Sequence, residues 1–205
     1  MITCAEDVAE GAAWLAAREP RFARALRETG PLPLRLRDDG FEALLSAIVS
    51  QQISVAAARG VWSKLETAGA IAPEPILAMS AEDLRALGLS KQKAGYAKAL
   101  AEHGIDFVAL RRQRTDRVVL ELTAVKGIGI WTAEIYAMFS LGRADTFAAG
   151  DLALQESAKM LFGLNARPTD KSLRKMAEEW APWRAVAARL LWAYYHVIKD
   201  REGIT

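Results

Sequence analysis

The chain has 205 residues, 52% of them hydrophobic and 25% charged, which is enough apolar content for a real core and excludes a disordered chain. Twenty-seven basic against 25 acidic residues give a formal net charge of +2, only a slight bias toward an anionic partner. One cysteine, Cys4, excludes an internal disulfide, and with two histidines it can fill neither a four-ligand zinc site nor an iron–sulfur site. No apolar run approaches the roughly 20 residues of a membrane-spanning helix. Met1–Asp7 carries neither the basic start nor the apolar core of a signal segment, so a cytoplasmic protein without membrane contact is expected.

Taken in chain order, residues 1–39 read as two helices and a linker, the latter running from Gly30-Pro31-Leu32-Pro33 to Asp38-Asp39-Gly40. They are expected to pack on a core formed by residues 40–205. Phe41, Leu44, Leu45, Ile48 and Val49 mark one helical face. Ser54 is placed to cap a second helix from Val55 to Leu65. Ser80-Ala81-Glu82-Asp83 has the pattern of a capping box, with Asp83 where glutamate is usual, and opens a helix ending near Gly88. Ser90 caps the next, which runs to about His103-Gly104. Further helices are predicted over 106–113, 116–124, 130–141, 151–162, 169–180 and 182–199, with Pro182 in a first turn. The fold class is all-α, with ten or eleven short helices.

The stretch 122–133 joins two of these helices through Gly127-Ile128-Gly129. Glycines at such a joint can take positive φ and leave the backbone N–H groups uncovered. The following helix then points its N-terminus out of the turn, an arrangement that binds a phosphate oxygen without a basic side chain. By itself the pattern reads as a plain helix–helix turn, since GxG alone is common. Its context extends the reading. Gly-Ile-Gly-Ile-Trp-Thr-Ala is followed by Phe147-Ala148-Ala149-Gly150-Asp151. With the segments Phe41–Ser54, Leu84–Ala101 and Trp180–Trp192, these motifs stand in the order of the helix-hairpin-helix DNA glycosylase superfamily. Over about residues 40–195 the chain resembles that superfamily, and within it the compact, all-helical DNA-3-methyladenine glycosylase II branch of alkylation repair.

The resemblance implies two helical subdomains flanking a cleft, and a role for each matching residue. Asp151 would be the catalytic carboxylate, stabilising an oxocarbenium-like transition state and orienting or deprotonating water. Trp131 stands where relatives that also cut the backbone carry a Schiff-base lysine, so a monofunctional enzyme is implied; Lys126 lies before the hairpin, out of position for that role. Trp131 and Trp192 match pocket tryptophans suited to a cationic base, with Tyr136 and Phe147 as further pocket candidates. Ile135 and Leu152 depart from the tyrosines of some relatives, which leaves the base preference open. On the helical wheel Trp192 lies almost opposite the apolar face of its helix, so it needs a second packing surface or a cavity.

Gln52 matches the residue that wedges into the space of a flipped nucleotide. Gln51, Ser50, Ser54, Gly127, Gly129 and Thr132 would touch DNA, with Lys91 and Lys93 as further candidates. The backbone carbonyls of Thr123, Val125 and Ile128 would hold a structural Na⁺ or K⁺; no other cofactor is implied. The implied partner is double-stranded DNA containing alkylated bases, met by a monomer in the nucleoid-associated cytoplasm. Two alternatives stay open: a non-catalytic DNA-binding module in which Asp151 only caps a helix, and a glycosylase for oxidised or deaminated bases.

Overall fold

The computed structural model describes residues 1–201, which form thirteen α-helices and one short 3₁₀ helix without strands. The helices are α1 Ala5–Arg18, α2 Pro20–Thr29, α3 Phe41–Ser50, α4 Val55–Thr67, α5 Pro73–Ala78, α6 Ala81–Ala86 and α7 Lys91–His103. They continue with α8 Phe107–Arg112, α9 Thr115–Ala124, α10 Ile130–Phe139, α11 Leu152–Phe162, α12 Asp170–Met176 and α13 Arg184–Arg201. Among the described residues no helix is long and apolar enough to cross a membrane.

The chain divides into two compact units, one of Met1–Leu36 with the residues from Ala137 onward, the other of Arg37–Tyr136. This corrects the expected division into 1–39 and 40–205. The N-terminal helices share a core with the C-terminal ones, and the residues between them form a unit of their own. The reason is aromatic packing: Phe22 of α2 sits edge-on to Phe162 at 5.5 Å and to Trp180 at 5.2 Å, and Phe162 stacks on Trp180. Such pairs contribute about 0.5–1.5 kcal/mol each beyond their area burial.

In this first unit α13 is the central helix, with α1, α2 and α11 packed on it. Residues Ala185 to Leu191 are buried without a break, as expected of a helix enclosed on all sides. In the second unit α7 packs against α3, α5 and α6. Its Ala94, Ala97, Leu100 and Ala101 are buried, as are Leu44, Leu45, Ile48 and Val49 of α3. Small alanines on α7 let its neighbours approach closely.

The sequence signals for helix starts hold where a side chain makes them. Ser54 accepts from the Ala57 N–H, Ser90 from the Lys93 N–H, and Ser80 and Asp83 form the reciprocal capping box. Each cap contributes about 1 kcal/mol. Helix α5 has no counterpart in the sequence reading; its prolines at 73 and 75 both fall in the first turn, where N–H groups lack partners anyway. The helix predicted over 169–180 finishes as a 3₁₀ segment, Ala177–Trp180. Pro182 is not in a first turn: it follows a cis Ala181–Pro182 bond, and α13 begins at Arg184.

Candidate active site and nucleic-acid interface

Asp151 occupies the N-cap of α11, where its Oδ1 accepts the Leu154 N–H at 3.0 Å. The same oxygen accepts the indole N–H of Trp192, from α13, at 3.1 Å. Cap and candidate catalyst are therefore one residue, and the two bonds orient its half-buried carboxylate. The approach to Asp151 is fixed from behind. Gln155, one turn along α11 and buried, donates to the Ala149 carbonyl at 2.9 Å, and Ser157 donates to Leu191 O at 2.6 Å, joining α11 to α13.

Trp192 packs on Phe139 with ring centroids 5.8 Å apart, which supplies the second packing surface its wheel position calls for. Phe139 also carries the Arg189 guanidinium, 4.8 Å from its centroid. Arg189 is only 2% exposed and donates to two carbonyls, Ala185 at 2.9 Å and Leu34 at 3.2–3.3 Å. Burial, with Arg35 nearby, pushes its pKa down to about 10, so it stays cationic at neutral pH.

In the second unit, Val125–Gly129 joins α9 to α10. The Ile128 N–H donates to the Val125 carbonyl at 3.1 Å, and Gly127 has φ +100°. A Cβ on Gly127 would clash with the Tyr96 side chain of α7, so this position requires glycine for both reasons. Gly129 has open space around its Cα, and Trp131 in the first turn of α10 is 47% exposed. Of the three carbonyls expected to hold a monovalent cation, that of Val125 also closes the turn; a set of neutral carbonyl oxygens suits a hard ion.

The loop between α3 and α4 carries Gln52, exposed and at φ +55°. A non-glycine residue held there costs about 1–3 kcal/mol, the kind of strain that persists at functional sites. Gln51 donates its side-chain amide to the Gly127 carbonyl at 2.9 Å. A pocket of about 520 Å³ brings together Gln51, Gln52, Ser90, Lys93, Tyr96 and the hairpin residues 127–129.

Several of the expected contact residues have partners within the protein. Gln51 faces the hairpin, and Lys93 turns inward to donate to Val49 O at 2.7 Å, burial pushing its pKa down. Thr132 is buried. Ser50 donates back to Ser46 O, and Ser54 accepts as the cap of α4. Tyr136 is buried, with its hydroxyl accepting the Gly40 N–H at 2.8 Å, and Phe147 is buried edge-on to Trp180 at 5.3 Å; both lie in the cores of their units. Sequence reasoning missed the Trp192–Asp151 bond, the support from Gln155 and the contact of Tyr96 with Gly127. Only the off-face position of Trp192 signalled any of them.

Residues 45–182 match the family model described as HhH-GPD superfamily base excision DNA repair protein. DNA-3-methyladenine glycosylase 1 of Schizosaccharomyces pombe is 33% identical over 76% of this chain and 72% of its own length. Among solved structures, a DNA-3-methyladenine glycosidase from Bacillus halodurans superimposes with a TM-score of 0.83 at 35% identity, covering 91% of this chain and 89% of that one. A 3-methyladenine DNA glycosylase of Schizosaccharomyces pombe in complex with abasic DNA gives 0.77 at 30% identity, covering 89% and 95%.

Proposed function

The chain belongs to the HhH-GPD superfamily of base excision DNA repair proteins, and from that premise we propose that it is a monofunctional DNA glycosylase that excises alkylated purines from duplex DNA. The observation that carries this reading is the carboxylate of Asp151, held on one oxygen by both a helix amide and the Trp192 indole. A cap alone needs no second donor. A carboxylate that must face an anomeric carbon does need a fixed orientation.

Bases such as 3-methyladenine and 7-methylguanine carry a formal positive charge. When the C1′–N bond breaks, its electron pair leaves with the base, which departs neutral, so no general acid is required. Asp151 stabilises the positive charge that develops on the sugar, and water adds to C1′ as its proton passes to the carboxylate or the solvent. Trp131 in the position of the lyase lysine leaves no amine there for a Schiff base, so the product is an abasic site in an unbroken strand. Its exposed indole face suits a cationic base. The hairpin amides and the N-terminus of α7 grip phosphates, and Gln52 fills the vacated stack. The carbonyls of Thr123, Val125 and Ile128 would hold a monovalent cation, which would supply positive charge toward a phosphate. The protein works as a monomer in the nucleoid-associated cytoplasm.

The test is release of 3-methyladenine and 7-methylguanine from methylated duplex DNA by wild type and Asp151→Asn, followed by chromatography. Strand breaks are scored before and after alkali. Release by wild type alone, with breaks only after alkali, supports the reading. Tight duplex binding without release would replace it by a DNA-binding module, and faster release of 8-oxoguanine than of 7-methylguanine would replace the lesion class.

A further inference from the structure

We propose that Gln51 and Lys93 act as positioning residues that lock the wedge loop to the phosphate-gripping hairpin, so that seating the DNA backbone and inserting Gln52 are one event. This rests on the reading of the protein as a base-flipping glycosylase with Gln52 as its wedge.

The observations form a closed ring of contacts within the second unit. Lys93 Nζ donates to the Val49 carbonyl near the end of α3 at 2.7 Å. Two residues on, the Gln51 amide donates to the Gly127 carbonyl at 2.9 Å. Gly127 in turn is covered by the ring of Tyr96, which stands one turn along α7 from Lys93. The ring therefore runs from α3 through the wedge loop and the hairpin to α7 and back to α3. Gln52 directly follows the second tethered point, exposed and in a left-handed backbone conformation that a loose loop would abandon.

Neither tether is explained by packing of the core. Gln51 and Lys93 are half-buried polar side chains bordering the pocket that Gln52 also lines. A lysine serving only as a phosphate contact would extend into solvent, whereas this ammonium caps the carbonyl end of α3, where the helix dipole favours a cation. Both donors reach backbone carbonyls, so they fix the path of the chain rather than the rotamer of a neighbour. A wedge held ready before DNA arrives loses less freedom on insertion, which lowers the barrier to flipping a paired base. An unpaired base flips with little help, and gains little from the lock.

The experiment compares wild type, Gln51→Met and Lys93→Met on 7-methylguanine placed either in a fully paired duplex or in an unpaired bulge of the same duplex. Each Met variant removes the donor and keeps the side-chain length. The ratio of paired to bulged excision should fall roughly tenfold in each, the effect of losing one directed hydrogen bond at the flipping step. A general folding defect would lower both rates and leave the ratio unchanged. In a Gln52→Gly background, where glycine keeps the positive φ but removes the wedge, the Met substitutions should cause no further fall.

Insertion is read independently of chemistry by the fluorescence of 2-aminopurine beside the lesion, which rises when the base step is unstacked. The Met variants should bind with a smaller rise than wild type. An unchanged ratio and an unchanged rise would overturn the lock. Should wild type release no base yet raise the fluorescence, the glycosylase reading falls while the lock is decided by the fluorescence of the Met variants. No rise in wild type overturns both.

Discussion

Trp192 donates its indole N–H to Oδ1 of Asp151 at 3.1 Å, so the aromatic residue and the carboxylate of the candidate site are a single hydrogen-bonded unit. Trp192 is itself fixed by Phe139, and Asp151 by the first turn of α11. The orientation of the carboxylate therefore depends on two helices, α11 and α13, that pack directly on one another.

Replacing Trp192 by Phe deletes the donor while keeping an aromatic ring against Phe139. A hydrogen bond to a charged group contributes about 1.5–3 kcal/mol, so kcat should fall roughly 10- to 100-fold. KM for methylated duplex should stay within about twofold of wild type, because the lost contact orients a catalytic group rather than binding DNA. Steady-state kinetics of base release checks the split; a raised KM with unchanged kcat would instead make Trp192 a simple binding surface.

Asp151→Asn should separate stability from catalysis. Asparagine is as good an N-cap as aspartate, so the melting temperature should change by no more than a few degrees. Base release should fall by at least roughly 100-fold, since the neutral amide cannot stabilise the sugar cation. Calorimetry and chromatography on one preparation test both, and comparable residual activity would return Asp151 to a purely structural role.

Two hairpin glycines should behave differently. Gly127→Ala combines φ +100° with a Cβ that clashes with the Tyr96 side chain and should destabilise the protein by about 2–4 kcal/mol. Gly129→Ala meets nothing within 4 Å and should fold normally, but it places a methyl group at the amides that receive phosphate. Duplex affinity should drop roughly tenfold with unfolding unchanged. Urea denaturation and fluorescence anisotropy distinguish the two.

Tyr136 supplies a pH signature. Burial pushes its phenol pKa up to about 12, from an ordinary value near 10. The folded state thus holds the proton more tightly than the unfolded chain. This contribution is fully present below about pH 10 and is lost as the pH rises toward 12. Tyr136→Phe should be about 1–3 kcal/mol less stable at neutral pH, because the Gly40 N–H loses its acceptor. The difference from wild type should shrink above pH 10. Denaturant titrations at pH 7, 10 and 11 would show it; a constant gap would mean the phenol does not titrate with folding.

Local chemistry was legible wherever one residue and its near neighbours decide the outcome. Ser54, Ser80 and Ser90 are caps because a hydroxyl reaches an amide two or three residues on, whatever surrounds it. The hairpin was legible for the same reason: positive φ at Gly127 is a property of the residue. The order of motifs, from Phe41 through Gly127 to Asp151, likewise points to the family from the sequence alone.

What the chain pattern did not carry is which side chains meet across distance. Gln51 looked like a DNA contact and holds the hairpin; Lys93 looked like a further DNA contact and caps α3; Tyr136 and Phe147 looked like pocket walls and lie in the cores. The division of the chain also escaped the pattern, because the aromatic cluster of Phe22, Phe162 and Trp180 joins residues more than a hundred positions apart. Periodicity, caps and turn residues, set by local backbone energetics, were determined by the sequence alone. The bond from Trp192 to Asp151, the tethers on the wedge loop and the two-unit division were decided only by tertiary structure, since each depends on burial and on donors brought together from separate helices.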